Sequence, residues 1–359
     1  MDEMDRFPAN RAALLKALFP QGVPQLWSPS LFFYDSQGGF DRARQEAHLA
    51  FMAPHVTGFL IPGSTGDAWE MSDDEAVAAL DLAIDFTQPR GLHLLAGVLR
   101  PDAAAMEHLL ERVVRHLCTR AGTASIPRAF AACGVRGITV APPTTTAPLP
   151  QEGIAEALSP LFARGLPMAL YQLPQVTGNR MTPELVAELA ARFPNFILFK
   201  DSSGTDEVAS SGQLPPGLVL LRGAEGDYAR WHAALGGPYD GFLLSTANAF
   251  PGELAGILGA LREGRGDAAQ SRSALLSAVV SDAFAAVQGL PDGNAFTNAN
   301  KALSHAMAFG AEAGTTPPPR LHAGSTLPGE VIGQVAASLQ RHGLLPGRGY
   351  CGGTMSASR

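Results

Sequence analysis

Short, nearly continuous apolar runs recur along this chain of 359 residues, and each is followed by a loop and a segment with helical periodicity. In those segments apolar residues return at spacings of three and four, as in TPELVAELAARF, which is typical of one buried helix face. Strands buried on both faces give continuous apolar runs rather than strict alternation. Eight runs therefore predict strands: VPQLW (23–27), GFLIP (58–62), LHLLAGV (92–98), VRGITVA (135–141), PMALY (167–171), FILFK (196–200), LVLLR (218–222) and GFLLS (241–245).

The alternation of eight strands with helices predicts an α/β fold, a (β/α)8 TIM barrel over residues 20–250. The alternative is an open doubly wound sheet, but no GxGxxG fingerprint follows an early strand. Ser72, with Glu75 three residues later, and Thr182 have the pattern of helix N-caps. Residues 118–133 lengthen the third connection and are interpreted as a partly helical insertion.

After the last strand, the pattern predicts a C-terminal helical region over residues 251–345, packed on the barrel. The Gly- and Ser-rich end, residues 346–359, is predicted to be a flexible tail. Neither an internal repeat nor a linker that would split the chain into two domains is evident. The four predicted C-terminal helices lie at 252–263, 267–289, 294–309 and 329–342.

Composition narrows the class of protein. A net charge of −7 argues against a nucleic-acid-binding surface, which needs a positive stripe. No apolar run is long enough to cross a membrane, and the acidic start MDEMDRFPAN lacks the apolar core of a signal peptide. Cys118, Cys133 and Cys351 have no metal-ligand spacing and are expected to be reduced. We therefore expect a cytoplasmic globular protein with no nucleic-acid or membrane partner.

Lys200 is the first candidate for chemistry, because active sites of such barrels lie at the C-terminal ends of the strands and Lys200 ends the sixth run. Desolvation by the preceding apolar residues would lower the pKa of its amine, and a neutral amine can attack a ketone to form an imine. The simpler interpretation is that Lys200 pairs with Asp201 or reaches solvent. The other two lysines of the chain, Lys16 and Lys301, lie in helical segments and are interpreted as solvated.

Two further groups are expected at the same end of the barrel. Tyr171 ends the fifth run, and its phenol could carry a proton to or from a substrate hydroxyl. The GSTG loop (63–66) offers backbone N–H groups for a carboxylate and the hydroxyls of Ser64 and Thr65 for a proton relay. Taken alone, a strand-end tyrosine more often serves packing than catalysis, and the GSTG loop is weak evidence because it could be an ordinary tight turn before the helix near Ser72.

Together these motifs resemble the pyruvate-dependent class I aldolases and lyases that include dihydrodipicolinate synthase and N-acetylneuraminate lyase, over roughly residues 20–345. The resemblance implies a TIM barrel with a Schiff-base lysine at Lys200 and a proton carrier at Tyr171. It also implies that Ser64 and Thr65 hold the keto-acid carboxylate and relay protons. The motifs that carry it are GSTGD (63–67), GITVAPP (137–143), YQLPQVTG (171–178), FKDSSG (199–204), STANAFP (245–251) and NKAL (300–303).

Departures from the family pattern affect the second substrate. Val176 stands where dihydrodipicolinate synthase has the arginine that holds a carboxylate of its second substrate, and Thr144 and Thr145 stand where it has paired tyrosines. Because valine cannot pair with a carboxylate and threonine is shorter than tyrosine, that synthase activity is not expected. Gln172 for the usual asparagine and Asp67 for the usual glutamate are milder changes.

The loop after the seventh strand offers Glu225 and Asp227, which could bind hydroxyls of a sugar-like tail. The full set of predicted substrate-binding residues is Gly63, Gly66, Thr145, Gly223, Glu225 and Ser245.

The sequence thus predicts a lyase that cleaves or condenses a pyruvate-type 2-keto acid with an aldehyde through a Lys200 imine, without metal or other cofactor. A homo-oligomer, dimer or tetramer, is expected from the resemblance. Three alternatives stay open: a keto-deoxy sugar acid dehydratase or decarboxylase using the same imine, a non-catalytic keto-acid-binding paralogue, and a pyridoxal phosphate enzyme. Substitutions at Thr144, Thr145 and Val176 favour the second, and the lack of a compelling phosphate-binding loop weighs against the third.

Overall fold

Eight parallel strands close into a barrel in the computed structural model, which describes residues 5–352. Each strand pairs with the next along the chain, and β1 pairs with β8 to complete the circle. The predicted fold class, a TIM barrel with C-terminal helices, is confirmed. The strands are β1 (Leu26–Pro29), β2 (Gly58–Ile61), β3 (His93–Gly97), β4 (Val135–Val140), β5 (Met168–Gln172), β6 (Phe196–Asp201), β7 (Val219–Arg222) and β8 (Gly241–Leu243).

Helices cover the outside of the barrel and continue after its last strand. Ser72 forms the predicted capping box with Glu75, and Thr182 accepts a hydrogen bond from the Leu185 N–H as the predicted N-cap. Within the described part of the chain the α-helices are α1 (Arg11–Leu18), α2 (Arg42–Met52), α3 (Asp73–Thr87), α4 (Ala103–Ala121), α5 (Ile126–Ala132), α6 (Gln151–Ala163), α7 (Pro174–Thr177), α8 (Pro183–Arg192), α9 (Glu207–Ser210), α10 (Tyr228–Trp231), α11 (Pro251–Arg262), α12 (Gly266–Ala286), α13 (Ala295–Phe309) and α14 (Gly329–Arg341).

Element boundaries differ from the prediction mainly at β1. The first strand begins at Leu26 rather than at residue 23, so the start of the apolar run is a loop. The Trp27 indole donates a 2.7 Å hydrogen bond back to the Pro24 carbonyl of that loop. Residues 118–133 contain the last turn of α4 and all of α5, which is the partly helical segment that was predicted.

The interior of the barrel holds a separate apolar cluster, closed at the N-terminal end by α1. Leu14 and Leu18 of α1 are buried against side chains that point inward from the strands. Because side chains alternate between the two faces of a strand, residues two positions further along those strands point inward nearer the C-terminal end. The inward-facing strand residues of the cluster are Trp27, Leu60, Leu95, Ala169, Leu198, Leu221 and Leu243.

The C-terminal helices pack onto the barrel and reach its C-terminal end. Helix α12 contacts α11, α13 and α14, and α13 contacts the turn Ser64–Gly66 that follows β2. The flexible tail predicted for 346–359 is wrong for its first half, since the Tyr350 ring stacks on Phe51 at 4.3 Å between ring centroids. Residues 353–359 lie outside the described residues. No helix between residues 5 and 352 is long and apolar enough to cross a membrane.

We expect Leu14→Ala to lower the free energy of unfolding by about 3 kcal/mol, because the fully buried side chain would leave a cavity between α1 and the barrel interior. Urea titration followed by circular dichroism measures this. Leu275→Ala, at a helical leucine that is 40% exposed, is the matched control and should change stability by less than about 0.5 kcal/mol. Equal losses in the two variants would show that α1 does not close the barrel interior.

Candidate active site

Lys200 points into the barrel from the C-terminal end of β6. Leu198, two residues earlier, belongs to the interior cluster, and Lys200 pairs in register with Tyr171 of β5. Its side chain is buried, and Nζ lies 3.8 Å from the centroid of the Tyr171 ring. No hydrogen-bond acceptor or carboxylate within residues 5–352 lies within bonding distance of that nitrogen. Lys200 therefore does not pair with Asp201, and its side chain is only 3% exposed.

Burial changes the acid–base state of the lysine. Desolvation lowers the pKa of Lys200 from its ordinary value of 10.5 to about 7, and the negative charge of Glu225 opposes part of this shift. A substantial fraction of the amine is therefore neutral at neutral pH. An imine-forming lysine needs an unprotonated amine of this kind. The neighbouring Asp201 lies on the outer face of β6, where one carboxylate oxygen accepts a 2.8 Å hydrogen bond from the Ser203 N–H.

Tyr171 supplies a buried phenol beside this amine. Burial raises the pKa of Tyr171 above its ordinary value, the Ser202 hydroxyl lowers it in part, and the charges of Glu225 and Asp201 raise it. The hydroxyl therefore keeps its proton at neutral pH. Both this phenol and the Lys200 amine sit at the position that the strand ends predicted for them.

The GSTG loop after β2 forms a tight turn at the same end of the barrel. Ser64 and Thr65 are buried, and the Trp69 indole N–H donates a 3.1 Å hydrogen bond to the Ser64 hydroxyl. A Cβ at Gly66 would lie 2.3 Å from the Ser30 carbonyl oxygen, so only glycine allows this approach to the loop after β1. Gly63 precedes the turn in an extended conformation.

Helix α13 of the C-terminal region holds this loop in place. The Asn294 amide donates to the Ser64 carbonyl at 3.1 Å, and the Thr297 hydroxyl donates to the Thr65 carbonyl at 3.0 Å. Sequence reasoning predicted the helix but assigned neither side chain to the site. The available signal was the position of Asn294 as N-cap, where its side chain accepts from the Thr297 N–H.

Lys301, on the same helix, was predicted to be solvated, and this is wrong. Its side chain is completely buried, and Nζ lies 3.1 Å from a carboxylate oxygen of Asp67, the residue that ends the GSTGD motif. The Tyr34 hydroxyl donates to the same oxygen at 2.9 Å, and the Arg320 carbonyl accepts from Lys301 at 3.3 Å. The sequence pattern of α13 did not predict the burial of Lys301, because helical periodicity places a residue on one face of the helix without identifying what packs against that face.

Glu225 is enclosed by donors from the protein. Its two carboxylate oxygens accept hydrogen bonds from the Ser245 hydroxyl at 2.5 Å, the Thr246 hydroxyl at 2.6 Å, the Thr246 N–H at 3.1 Å and the Tyr228 hydroxyl at 3.0 Å. A Cβ at Gly223, on the same loop, would lie 2.7 Å from Cε of Lys200. The absence of that atom leaves room for the lysine side chain.

The remaining predicted residues lie around this centre. The Thr145 hydroxyl donates to the Ala147 carbonyl at 2.7 Å and accepts from the Asn179 amide at 2.8 Å. Thr144 and Asp227 are exposed.

The buried Thr139 hydroxyl has no partner among the described residues, and sequence reasoning assigned it no role although it lies in the GITVAPP motif. The buried Ser202 hydroxyl was also missed, and it interacts with the Tyr171 phenol closely enough to lower the pKa of that group. Ser202 could have been found by alternation, since it lies two residues after Lys200.

A closed parallel barrel with a buried, unpaired lysine at its C-terminal end, next to a protonated phenol, has the arrangement of a class I aldolase. A model of the dihydrodipicolinate synthetase family matches residues 121–292, which include both side chains. The 4-hydroxy-tetrahydrodipicolinate synthase of Xanthomonas axonopodis pv. citri is 32% identical over 62% of this chain and 67% of its own length. That of Methanosphaerula palustris is 25% identical over 71% of this chain and 80% of its own.

Solved structures agree on the fold. YagE, a prophage protein of the dihydrodipicolinic acid synthase family from E. coli K12 crystallised with pyruvate, superposes with a TM-score of 0.68 at 22% identity over 89% of this chain and 98% of YagE. A Sulfolobus 2-keto-3-deoxygluconate aldolase gives a TM-score of 0.68 at 16% identity, over 89% and 96% of the two chains. The chain belongs to the dihydrodipicolinate synthetase family. Members of this family are lyases with a class I aldolase mechanism, so the predicted family and enzyme class are confirmed.

We expect Lys301→Met to lower the free energy of unfolding by about 4 kcal/mol, because it leaves the Asp67 carboxylate buried without its partner. Adding Asp67→Asn should recover more than half of this loss, since no unpaired charge then remains. Urea titration measures all three proteins. Lys16→Met makes the same substitution at an exposed lysine and should be nearly neutral. A double variant no more stable than Lys301→Met would argue against the charge as the cause.

Proposed function

We propose that this protein is a lyase that binds a pyruvate-type 2-keto acid as an imine on Lys200 and makes or breaks a carbon–carbon bond to an aldehyde. The observation that carries the proposal is the Lys200 amine, which is buried, has no acceptor among the described residues and has a pKa lowered to about 7. Membership of a family of class I lyases supports the same chemistry.

The first step joins Nζ of neutral Lys200 to the C2 carbonyl carbon of the keto acid, and the carbonyl oxygen leaves as water. The protonated imine withdraws electrons, so C3 can lose a proton to give an enamine. In condensation, C3 then bonds to the aldehyde carbon, and the new alkoxide takes a proton. Water finally hydrolyses the imine to release a 4-hydroxy-2-oxo acid and the amine. Cleavage is the same sequence in reverse.

Tyr171 is proposed as the proton donor to the alkoxide in condensation. A phenol with a raised pKa is a weak acid and a poor resting base, so in the cleavage direction it accepts the C4 hydroxyl proton only after giving up its own. The Ser64 and Thr65 hydroxyls are proposed as the path for that proton. The backbone of the GSTG loop, with Gly63 and Gly66, is proposed to hold the keto-acid carboxylate.

Glu225 is proposed to act on the amine rather than on the substrate. With both carboxylate oxygens engaged by four donors, it has little capacity for substrate hydroxyls. Its negative charge raises the pKa of Lys200 against the effect of burial, which keeps the amine titrating near neutrality. The Ser245 hydroxyl holds this carboxylate, and Gly223 leaves space for the lysine.

Several earlier expectations remain proposals. Dehydration or decarboxylation of a keto-deoxy sugar acid would start from the same imine. A cytoplasmic location is supported by the cysteines Cys118, Cys133 and Cys351, none of which forms a disulfide within residues 5–352. Assembly as a dimer or tetramer rests on family resemblance alone.

The proposed chemistry draws on no metal or nucleotide.

We expect borohydride reduction in the presence of pyruvate to leave a 1-carboxyethyl group on Nζ of Lys200, because hydride reduces the imine to a stable secondary amine. Peptide mass spectrometry locates the adduct. Lys16 and Lys301 in the same digest are internal controls: one is exposed and the other is ion-paired. Lys200→Arg should abolish both the adduct and turnover. An unmodified Lys200 peptide under conditions where free amines react would remove the basis for the proposal.

The rate of imine trapping should rise with pH and level off above a midpoint of about pH 7, because only the neutral amine attacks. In Glu225→Gln the midpoint should move to lower pH, since removal of the nearby negative charge disfavours protonation of Lys200. Asp227→Asn removes a carboxylate from the same loop at an exposed position and should leave the midpoint unchanged. A Glu225→Gln midpoint at or above the parent value would contradict this electrostatic role.

A further inference from the structure

We infer that the aldehyde half of the substrate is apolar and of aromatic size. Its binding surface, which we call the apolar wall, consists of the side chains of Trp69, Val176 and Phe296. This inference rests on the proposed function, because it assigns the second substrate of the same site. The three side chains are partly exposed and pack against a small cluster that contains Tyr171. The buried members of that cluster are Ala68, Leu99, Ala141, Tyr171 and Leu173.

The position of the apolar wall follows from the topology. The buried members of its cluster other than Tyr171 come from the loops that follow β2, β3, β4 and β5, all at the C-terminal end of the barrel. Trp69 donates to the Ser64 hydroxyl, so its indole lies against the loop proposed to hold the carboxylate. Phe296 follows Asn294, whose amide holds the Ser64 carbonyl. The wall therefore borders both Tyr171 and the GSTG loop.

Three of the polar side chains predicted to bind the substrate, Glu225, Ser245 and Thr145, are occupied within the protein. Glu225 accepts four hydrogen bonds, and the Ser245 hydroxyl donates one of them. The Thr145 hydroxyl both donates and accepts within its own loop. A sugar-like tail would lose its water without replacing those hydrogen bonds, which costs free energy.

A second anionic group on the aldehyde is also disfavoured. Arg100 is the charged side chain that contacts this region, and its guanidinium donates to the Ala68 and Leu99 carbonyls at 2.8 Å each. It is already paired with Asp73 at 2.9 Å, although one of its terminal nitrogens has no partner among the described residues. Val176 adds no charge at the mouth. An aldehyde that brings its own apolar surface fits this environment best.

The test compares three aldehydes with pyruvate: benzaldehyde, D-glyceraldehyde and succinic semialdehyde. Formation of each 4-hydroxy-2-oxo acid is followed by liquid chromatography and mass spectrometry. We expect kcat/KM for benzaldehyde to exceed that for either other aldehyde by at least about tenfold. A preference for glyceraldehyde or the semialdehyde, equal rates with all three, or no condensation despite trapped imine would overturn the inference while leaving the imine intact.

Two variants test the wall itself. Val176→Thr keeps the side-chain shape but adds a hydroxyl, and should lower kcat/KM for benzaldehyde about tenfold without changing the rate of pyruvate trapping. Phe296→Ala should act in the same direction. Val77→Thr makes the matched change at a half-buried valine on α3, outside the wall, and should alter neither rate. Equal effects of Val176→Thr and Val77→Thr would refute the wall, and failure to trap pyruvate in the parent protein would instead refute the proposed function.

Discussion

Removing the Lys200 ammonium from water costs free energy that no ion pair within residues 5–352 offsets, and the proposed chemistry depends on this imbalance. In the interior of the barrel the amine has apolar side chains below it and the face of Tyr171 beside it. The Lys200 amine therefore loses its proton near neutral pH instead of being held charged by an ion pair. Lys301 provides the contrast within one chain. It is at least as buried, but its Nζ has the Asp67 carboxylate as a partner at 3.1 Å.

Lys301 connects the C-terminal helices to the barrel. Lys301 and its neighbours on α13 hold the loop after β2, by an ion pair to Asp67 and hydrogen bonds to the Ser64 and Thr65 carbonyls. Under the proposed mechanism that loop receives the carboxylate of the keto acid bound to Lys200. The C-terminal helices therefore contribute to the site without supplying the reacting amine, since they determine where the carboxylate and the carbonyl of one small molecule can sit.

Much of this was predictable from the chain because it depends on local pattern. Buried parallel strands read as continuous apolar runs, so the barrel and the identity of its strand ends followed, and Lys200 and Tyr171 with them. The burial and the hydrogen-bond partners of a side chain depend instead on residues that are distant in the sequence and close in the fold. Asp67 and Lys301 are 234 residues apart, so the sequence pattern could not show that this lysine is paired rather than solvated. Glu225 accepts hydrogen bonds from the loop after the next strand, which leaves its predicted binding of substrate hydroxyls unsupported.

The C-terminal end of the barrel is chemically divided. Side chains after β2 to β5 contribute an apolar cluster. The GSTG hydroxyls and the ends of β6 to β8, which carry Lys200, Ser202, Glu225 and Ser245, are polar. Tyr171 lies at the boundary, with its ring in the apolar cluster and the Lys200 amine over its face. A substrate that joins a polar keto acid to an apolar aldehyde would match this division, and its new alkoxide would form at the boundary, where the phenol stands. Fold and family fix the imine half of such a reaction, whereas the aldehyde half depends on side chains such as Val176, which the family pattern does not determine.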